Sequence, residues 1–144
     1  MVGLVVAAHG QLAEEFIRTA EGVCGKLEQC RALSVASTSA MEEERAKFAE
    51  AIRAVDAGDG VLVLTDMFGG SPANLALTFL DDKIEVVTGV NLPMLVKLST
   101  CRNENAPLRE TAQMLSAYGQ KNITLASELL RTRGRPGRSS KSGE

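Results

Sequence analysis

Apolar residues along this chain fall into two alternating patterns. Residues 2–8, VGLVVAA, form an uninterrupted apolar run, as expected of a strand covered on both faces. Leu12, Phe16, Ala20, Val23, Cys24 and Leu27 then recur at spacings of three and four, which predicts a helix over about residues 11–26. A weaker strand is expected at 32–36. Met41, Phe48, Ala49, Ile52 and Val55 share one helical face, interleaved with charges, and the Ser37-Thr38-Ser39 cluster ahead of them supplies cap candidates. After Gly58-Asp59-Gly60, residues 61–65 (VLVLT) carry the clearest strand pattern of the chain.

The second half repeats the alternation. Residues 66–71 read as a loop, and Ser71-Pro72 as an N-cap followed by proline at the first helical position, opening a helix to about residue 80. A strand is expected at 84–88, a turn at 89–93 and a helix beginning at 94–99. Residues 103–107 break that helix, 108–118 resume it, and Gly119 closes it. Residues 123–126 are short enough for a last strand. This order predicts an α/β fold, a three-layer arrangement with a mainly parallel sheet in strand order 2-1-3-4 and helices on both faces. No repeat and no second domain are evident, so residues 1–130 read as one domain.

Composition narrows the class without changing the fold. At 144 residues, with 44% hydrophobic and 24% charged residues, the chain is long enough for one well-buried core. It has only four Phe, one Tyr and no Trp, so that core must be aliphatic. No apolar run approaches the ~20 residues that span a bilayer. Residues 2–8 lack the basic flank and cleavage site of a signal peptide, and a cytoplasmic protein is expected. Cys24, Cys30 and Cys101 form no CxxC pair and are read as reduced thiols, and one histidine is too few for a Cys/His metal site.

Charge is unevenly placed. Residues 131–144 carry five basic residues against Glu144, whereas the remaining 130 carry eleven basic against seventeen acidic ones. An acidic body with a short basic tail is not a nucleic-acid-binding domain, and the Gly/Ser/Arg-rich tail is expected to be disordered and inert.

Candidate chemistry gathers at the carboxyl ends of the strands, where parallel sheets bind their ligands. The first strand ends in Ala8-His9-Gly10 and the third in Asp66-Met67-Phe68-Gly69-Gly70-Ser71-Pro72. His9, the only imidazole, is either a structural residue or a nucleophile whose second ring nitrogen must be held by a hydrogen bond. Asp66 sits where it can supply that bond, and it can equally cap its own loop. Gly69-Gly70 before a helix is either a plain turn or a set of backbone N–H groups forming a cradle for a phosphoryl-sized dianion, with the Ser71 hydroxyl beside it. There is no GxxxxGK[ST] and no GxGxxG after a strand, so neither a nucleotide nor any other cofactor is expected. A Ser71-His9-Asp66 hydrolase is disfavoured because Ser71 lies on no GxSxG elbow.

Three segments together resemble one family: VVAAHG with His9, TDMFGGSPANLA at 65–76, and GVNLPML at 89–95. In this order they resemble the mannose-type IIA component of the bacterial sugar phosphotransferase system, over about residues 1–130. The resemblance implies that His9 accepts a phosphoryl group from the histidine-containing phosphocarrier protein HPr. It then passes that group to a IIB component, which serves a IIC/IID membrane permease. Asp66 matches the carboxylate that orients the histidine, leaving Nε2 to react. Gly69, Gly70 and Ser71, with Gly10, match the phosphoryl-binding surroundings. The family pattern further implies a homodimer with a short antiparallel C-terminal edge strand exchanged between copies, here matched by residues 123–126. Two departures stand out. Many relatives continue through a linker into IIB, which makes a separate or missing IIB the expectation here, and position 68 is Phe where Trp is also common. A regulatory phosphoprotein without transport remains an alternative, as does a non-catalytic anion-binding domain.

Overall fold

The two most apolar segments of the chain become the two central strands of a single sheet. In the computed structural model, which describes residues 1–36 and 40–133, β1 (Gly3–His9), β2 (Cys30–Val35), β3 (Val61–Thr65) and β4 (Ile84–Thr88) are all parallel, in the order β2-β1-β3-β4. The helices are α1 (Leu12–Cys24), α2 (Met41–Val55), α3 (Ser71–Leu77), α4 (Leu92–Cys101), α5 (Leu108–Lys121) and α6 (Ala126–Arg133), with a 3₁₀ turn at Arg102–Glu104. β1 and β3 have a neighbour on each side and helices above and below, so both faces of each strand need apolar side chains.

Strand alternation divides the core. Leu4, Val6, Ala8, Leu62 and Leu64 point to one face and pack with Ala13 and Ala20 of α1, Leu95 and Leu98 of α4 and Leu115 of α5. Val5, Ala7, Val61 and Val63 point to the other, under Phe48 and Ile52 of α2 and Leu75 and Ala76 of α3. The α/β class, the parallel sheet and the 2-1-3-4 order agree with expectation.

Several boundaries differ for local reasons. β2 begins at Cys30, two residues early, because its ladder with β1 extends back to Leu4. The cap candidates at 37–39 lie outside the described residues, and Ala40 is the N-cap of α2. α3 stops at Leu77 instead of residue 80. Its last turn tightens into i→i−3 bonds, from the N–H of Phe79 to the carbonyl of Ala76 (2.9 Å) and of Leu80 to Leu77 (3.3 Å). Asn91, placed by sequence in a turn, is the N-cap of α4, its side-chain oxygen accepting from the N–H of Met94 at 3.1 Å. Gly119 does not terminate α5, which runs to Lys121. A Cβ there would lie 2.5 Å from Met94 Sδ, so this glycine lets α5 press against α4.

The expected antiparallel edge strand is absent among the described residues. Residues 123–125 form a connector and Ala126 opens α6. Within one chain β4 pairs with β3, Asp81 bridges to Ile84, and among the described residues no further strand pairs with its outer edge. Of the basic tail, residues 131–133 complete α6, and 134–144 lie outside the described residues.

Where α2 ends it crosses the start of β1 in direct backbone contact. A Cβ on Gly3 would stand 2.3 Å from the carbonyl oxygen of Val55, a clash with main chain that no side-chain rotation relieves. Gly3→Ala is expected to destabilise the fold by about 2 kcal/mol or more. Urea unfolding at unchanged m-value measures this, and a midpoint equal to wild type would contradict the close approach.

Candidate functional site

Because β1 and β3 are adjacent and parallel, with Ala7 opposite Thr65, the residues that end them meet at one corner of the sheet. His9 is the last residue of β1 and Asp66 the first after β3. Asp66 Oδ2 lies 2.7 Å from His9 Nδ1 and also accepts the His9 backbone N–H at 3.0 Å. Asp66 Oδ1 accepts the N–H of Met67 at 3.0 Å. An ionised carboxylate only accepts, so Nδ1 carries a ring proton, and in the neutral imidazole the lone pair is on Nε2.

The carboxylate is 12% exposed. That burial raises its pKa, but the hydrogen bonds from the His9 backbone and ring, with the attraction of the ring, outweigh it and hold Asp66 below the ordinary 3.8. The end of β3 is itself anchored: the Thr65 carbonyl accepts the N–H groups of Gly89 and Val90, each at 2.9 Å. The His9 ring is 43% exposed, open to a macromolecular partner.

The glycine loop closes on the free edge of the ring. Gly69 adopts φ +88°, a conformation that favours glycine, and turns the chain back toward β1. A Cβ on Gly70 would stand 2.7 Å from His9 Cε1 and 3.2 Å from Nε2, so only glycine lets the backbone approach the ring there. Gly70, not Ser71, is the N-cap of α3; Ser71 is the first helical residue and is exposed. With seven residues α3 has a short dipole, so the leading backbone N–H groups matter more here than the helix field. Gly10 continues from His9 in an exposed turn, its carbonyl accepting the Ser34 hydroxyl and tying the end of β1 to β2. The corner thus gathers His9, Asp66 and Gly70 in direct contact, with Gly10, Gly69 and Ser71 as their chain neighbours.

Sequence reasoning did not single out the apolar rim. Met67 is 54% exposed and Phe68 71%, both in the loop between Asp66 and Gly69. Leu12 and Met41 are also exposed, and Met41 shares a small cavity with Ser71. The available signal was an apolar Met-Phe pair inside a loop otherwise made of Asp, Gly and Ser.

Two outcomes follow from this geometry. Gly70→Ala is expected to keep the far-UV spectrum of the fold while displacing the His9 ring, read as a large shift of its ¹⁵N resonances; an unmoved ring would contradict the contact. Asp66→Asn is expected to release the Nδ1–H tautomer in the same spectra. Since folding lowers the Asp66 pKa, its stabilisation is fully present above the unfolded value near 3.8 and is lost as pH falls through the folded value. The variant should therefore be less stable than wild type at neutral pH and converge with it in strong acid; a stability difference independent of pH would refute that assignment.

Comparison with known proteins places the chain in a family. The family model described as "PTS system fructose IIA component" matches residues 3–123. The mannose-specific EIIAB component of Escherichia coli (strain K12) is 31% identical over 124 residues, which cover 85% of this chain; the chain spans only 38% of that relative's length. The fructose-specific EIIA component of Bacillus subtilis is 26% identical over 132 residues, 90% of each chain. Among solved structures, the mannose/sorbose specific IIA subunit from Enterococcus faecalis superposes with a TM-score of 0.75 at 29% identity, covering 86% of this chain and 93% of the other. A match that runs from the start of β1 past the end of α5 takes in the whole sheet and the His9 corner, and the chain belongs to the mannose/fructose-type IIA family of the bacterial sugar phosphotransferase system.

Proposed function

We propose that the protein is a phosphoryl carrier that works through Nε2 of His9. The observation that carries this reading is the 2.7 Å contact between Asp66 Oδ2 and Nδ1, which makes Nε2 the free nitrogen of the neutral ring, turned toward the Gly70 backbone. The donor is the phosphohistidine of HPr. The Nε2 lone pair attacks its phosphorus, the new P–N bond forms as the donor's P–N bond breaks, and the released electron pair returns to the donor ring. The proton on Nδ1 stays in place throughout, held by Asp66, which stabilises the positive character the ring gains. The same steps in reverse order deliver the group to a IIB component, and through it to a IIC/IID permease.

Phosphoryl transfer demands alignment and charge stabilisation more than covalent assistance from the protein. In this reading the N–H groups and hydroxyl around Gly69, Gly70 and Ser71 surround the phosphoryl oxygens, and Gly10 keeps the approach to Nε2 free of a side chain. Neither metal nor cofactor enters the reaction. The exposed Met67 and Phe68 beside a half-open histidine favour a protein partner over a small substrate, since such a rim suits a docked surface. The setting is the cytoplasm, where HPr circulates.

A homodimer belongs to the same proposal. The outer edge of β4 carries unpaired backbone groups, and a groove of about 500 Å³ runs between it and α5, lined by Val87, Arg109 and Gln113 among others. Ile123 is 78% and Leu125 63% exposed, apolar side chains available to a second copy. The rival assignment, a phosphoprotein read by regulators without transport, shares all of this chemistry and differs in whether a IIB acceptor exists.

Incubation with phosphoenolpyruvate labelled in its phosphoryl group, Enzyme I and HPr tests the carrier. Wild type is expected to take up acid-labile, alkali-stable label, His9→Ala none, and Asp66→Asn to label about 10²-fold more slowly or worse. A folded wild type that stays unlabelled, or a labelled His9→Ala, would overturn the assignment.

A further inference from the structure

At the end of the sheet opposite His9 lies a buried charge that forms no ion pair among the described residues. Arg102, in the 3₁₀ turn after α4, is 5% exposed. Its Nη1 donates to the carbonyl of Val2 at 2.8 Å and its Nη2 to that of Glu28 at 2.7 Å, while Nε has no partner among the described residues. Carbonyl groups satisfy two donors and carry no charge. Among the described residues no carboxylate pairs with this guanidinium. Nor do the neighbouring thiols supply an anion, because burial pushes Cys30 up to about 11 and raises Cys101 as well. Buried arginines are ordinarily paired, since a desolvated charge without an opposite one is costly.

Beside Arg102 is a cavity of about 210 Å³, walled by Val2, Asp59, Asn105, Pro107 and Thr111. Pro107, the N-cap of the fourteen-residue α5, and Thr111 in its first turn stand in the wall. The carboxylate in this wall, Asp59, is 58% exposed and already paired with the Met1 amine. The cavity thus borders a desolvated guanidinium and a rim acid already paired with an amine, with the Glu28 carboxylate as the nearby opposing charge.

We infer that this cavity is a binding site for a small tetrahedral oxyanion of the phosphate class, which serves as the missing counter-ion of Arg102. It is separate from the phosphoryl site. Val2 precedes β1 and His9 ends it, about 20 Å away along an extended strand. The inference stands whether or not His9 carries phosphate. An ion held here ties the start of β1, the turn after α4 and the start of α5, three segments that meet only at this point. Its occupancy couples phosphate-class anion concentration to the stability of that junction.

The test uses inorganic phosphate on the whole chain, with sodium chloride at matched ionic strength as reference. Melting temperature should rise saturably, by about 4 °C or more at tenfold excess over Kd, where chloride gives no such rise. Amide resonances of residues 105–111 should shift with the same Kd, and those of 69–71 report the His9 loop separately. The shifts at 105–111 should persist in Ser71→Ala. Ala106 is exposed on the cavity wall, so Ala106→Glu tethers a carboxylate at the mouth without burdening the fold. That variant should melt higher than wild type without phosphate and bind phosphate at least tenfold more weakly at 105–111. Arg102→Met is the direct counterpart where it folds. No saturable shift at 105–111 up to 100 mM phosphate, an equal response to chloride, or an unchanged response in Ala106→Glu would each overturn the inference.

Discussion

One carboxylate oxygen, Asp66 Oδ2, accepts from the backbone and the ring of the same residue, at 3.0 Å and 2.7 Å. The pair of bonds fixes both where His9 stands and which way its imidazole faces, leaving one face of the ring's chemistry open. A ring bond alone would let the histidine swing with its χ angles. The backbone bond welds the end of β1 to the loop after β3, so the tautomer is set by the sheet itself.

That weld is possible only between neighbouring parallel strands. With β1 and β3 in register from Gly3 opposite Val61 to Ala7 opposite Thr65, both strands end at the same rim. Their fully apolar faces hold the register, because a one-residue slip would turn each side chain to the opposite layer. The Thr65 carbonyl extends the same logic outward by taking the Gly89 and Val90 N–H groups from the turn after β4. Gly70 then completes the corner by approaching the ring more closely than any other residue type allows.

This explains which features were legible in the sequence. The strands were, because a doubly covered strand must be an apolar run, and VGLVVAA and VLVLT are nothing else. The meeting of His9 and Asp66 was, because adjacent parallel strands end at the same rim. Ser71 was misplaced by one position, since Ser-Pro and Gly-Ser-Pro both satisfy the N-terminal preferences and only the backbone angles of Gly70 decide between them. Gly119 was read as a stop because a glycine near a helix end has two causes, αL geometry or close packing, and Met94 lies 25 residues away in another helix. The edge strand at 123–126 is not seen in the single chain, where residues 123–125 connect α5 to α6 and Ala126 is already helical.

The two buried ionic groups show opposite solutions to one electrostatic problem. Asp66 is desolvated, yet three N–H donors converge on it and the imidazole beside it can take up positive charge. Its environment therefore favours the ionised form, and the net pKa shift is downward despite burial. Arg102 is desolvated with two neutral acceptors and an idle Nε, so burial instead depresses its pKa, and the Glu28 carboxylate pulls the other way without reversing it. A site whose charge is balanced from within is ready to receive a further group on its open atom. The sheet thus separates the two: at one rim an imidazole is held by a carboxylate that three N–H groups satisfy, and at the other a guanidinium is held by carbonyls alone.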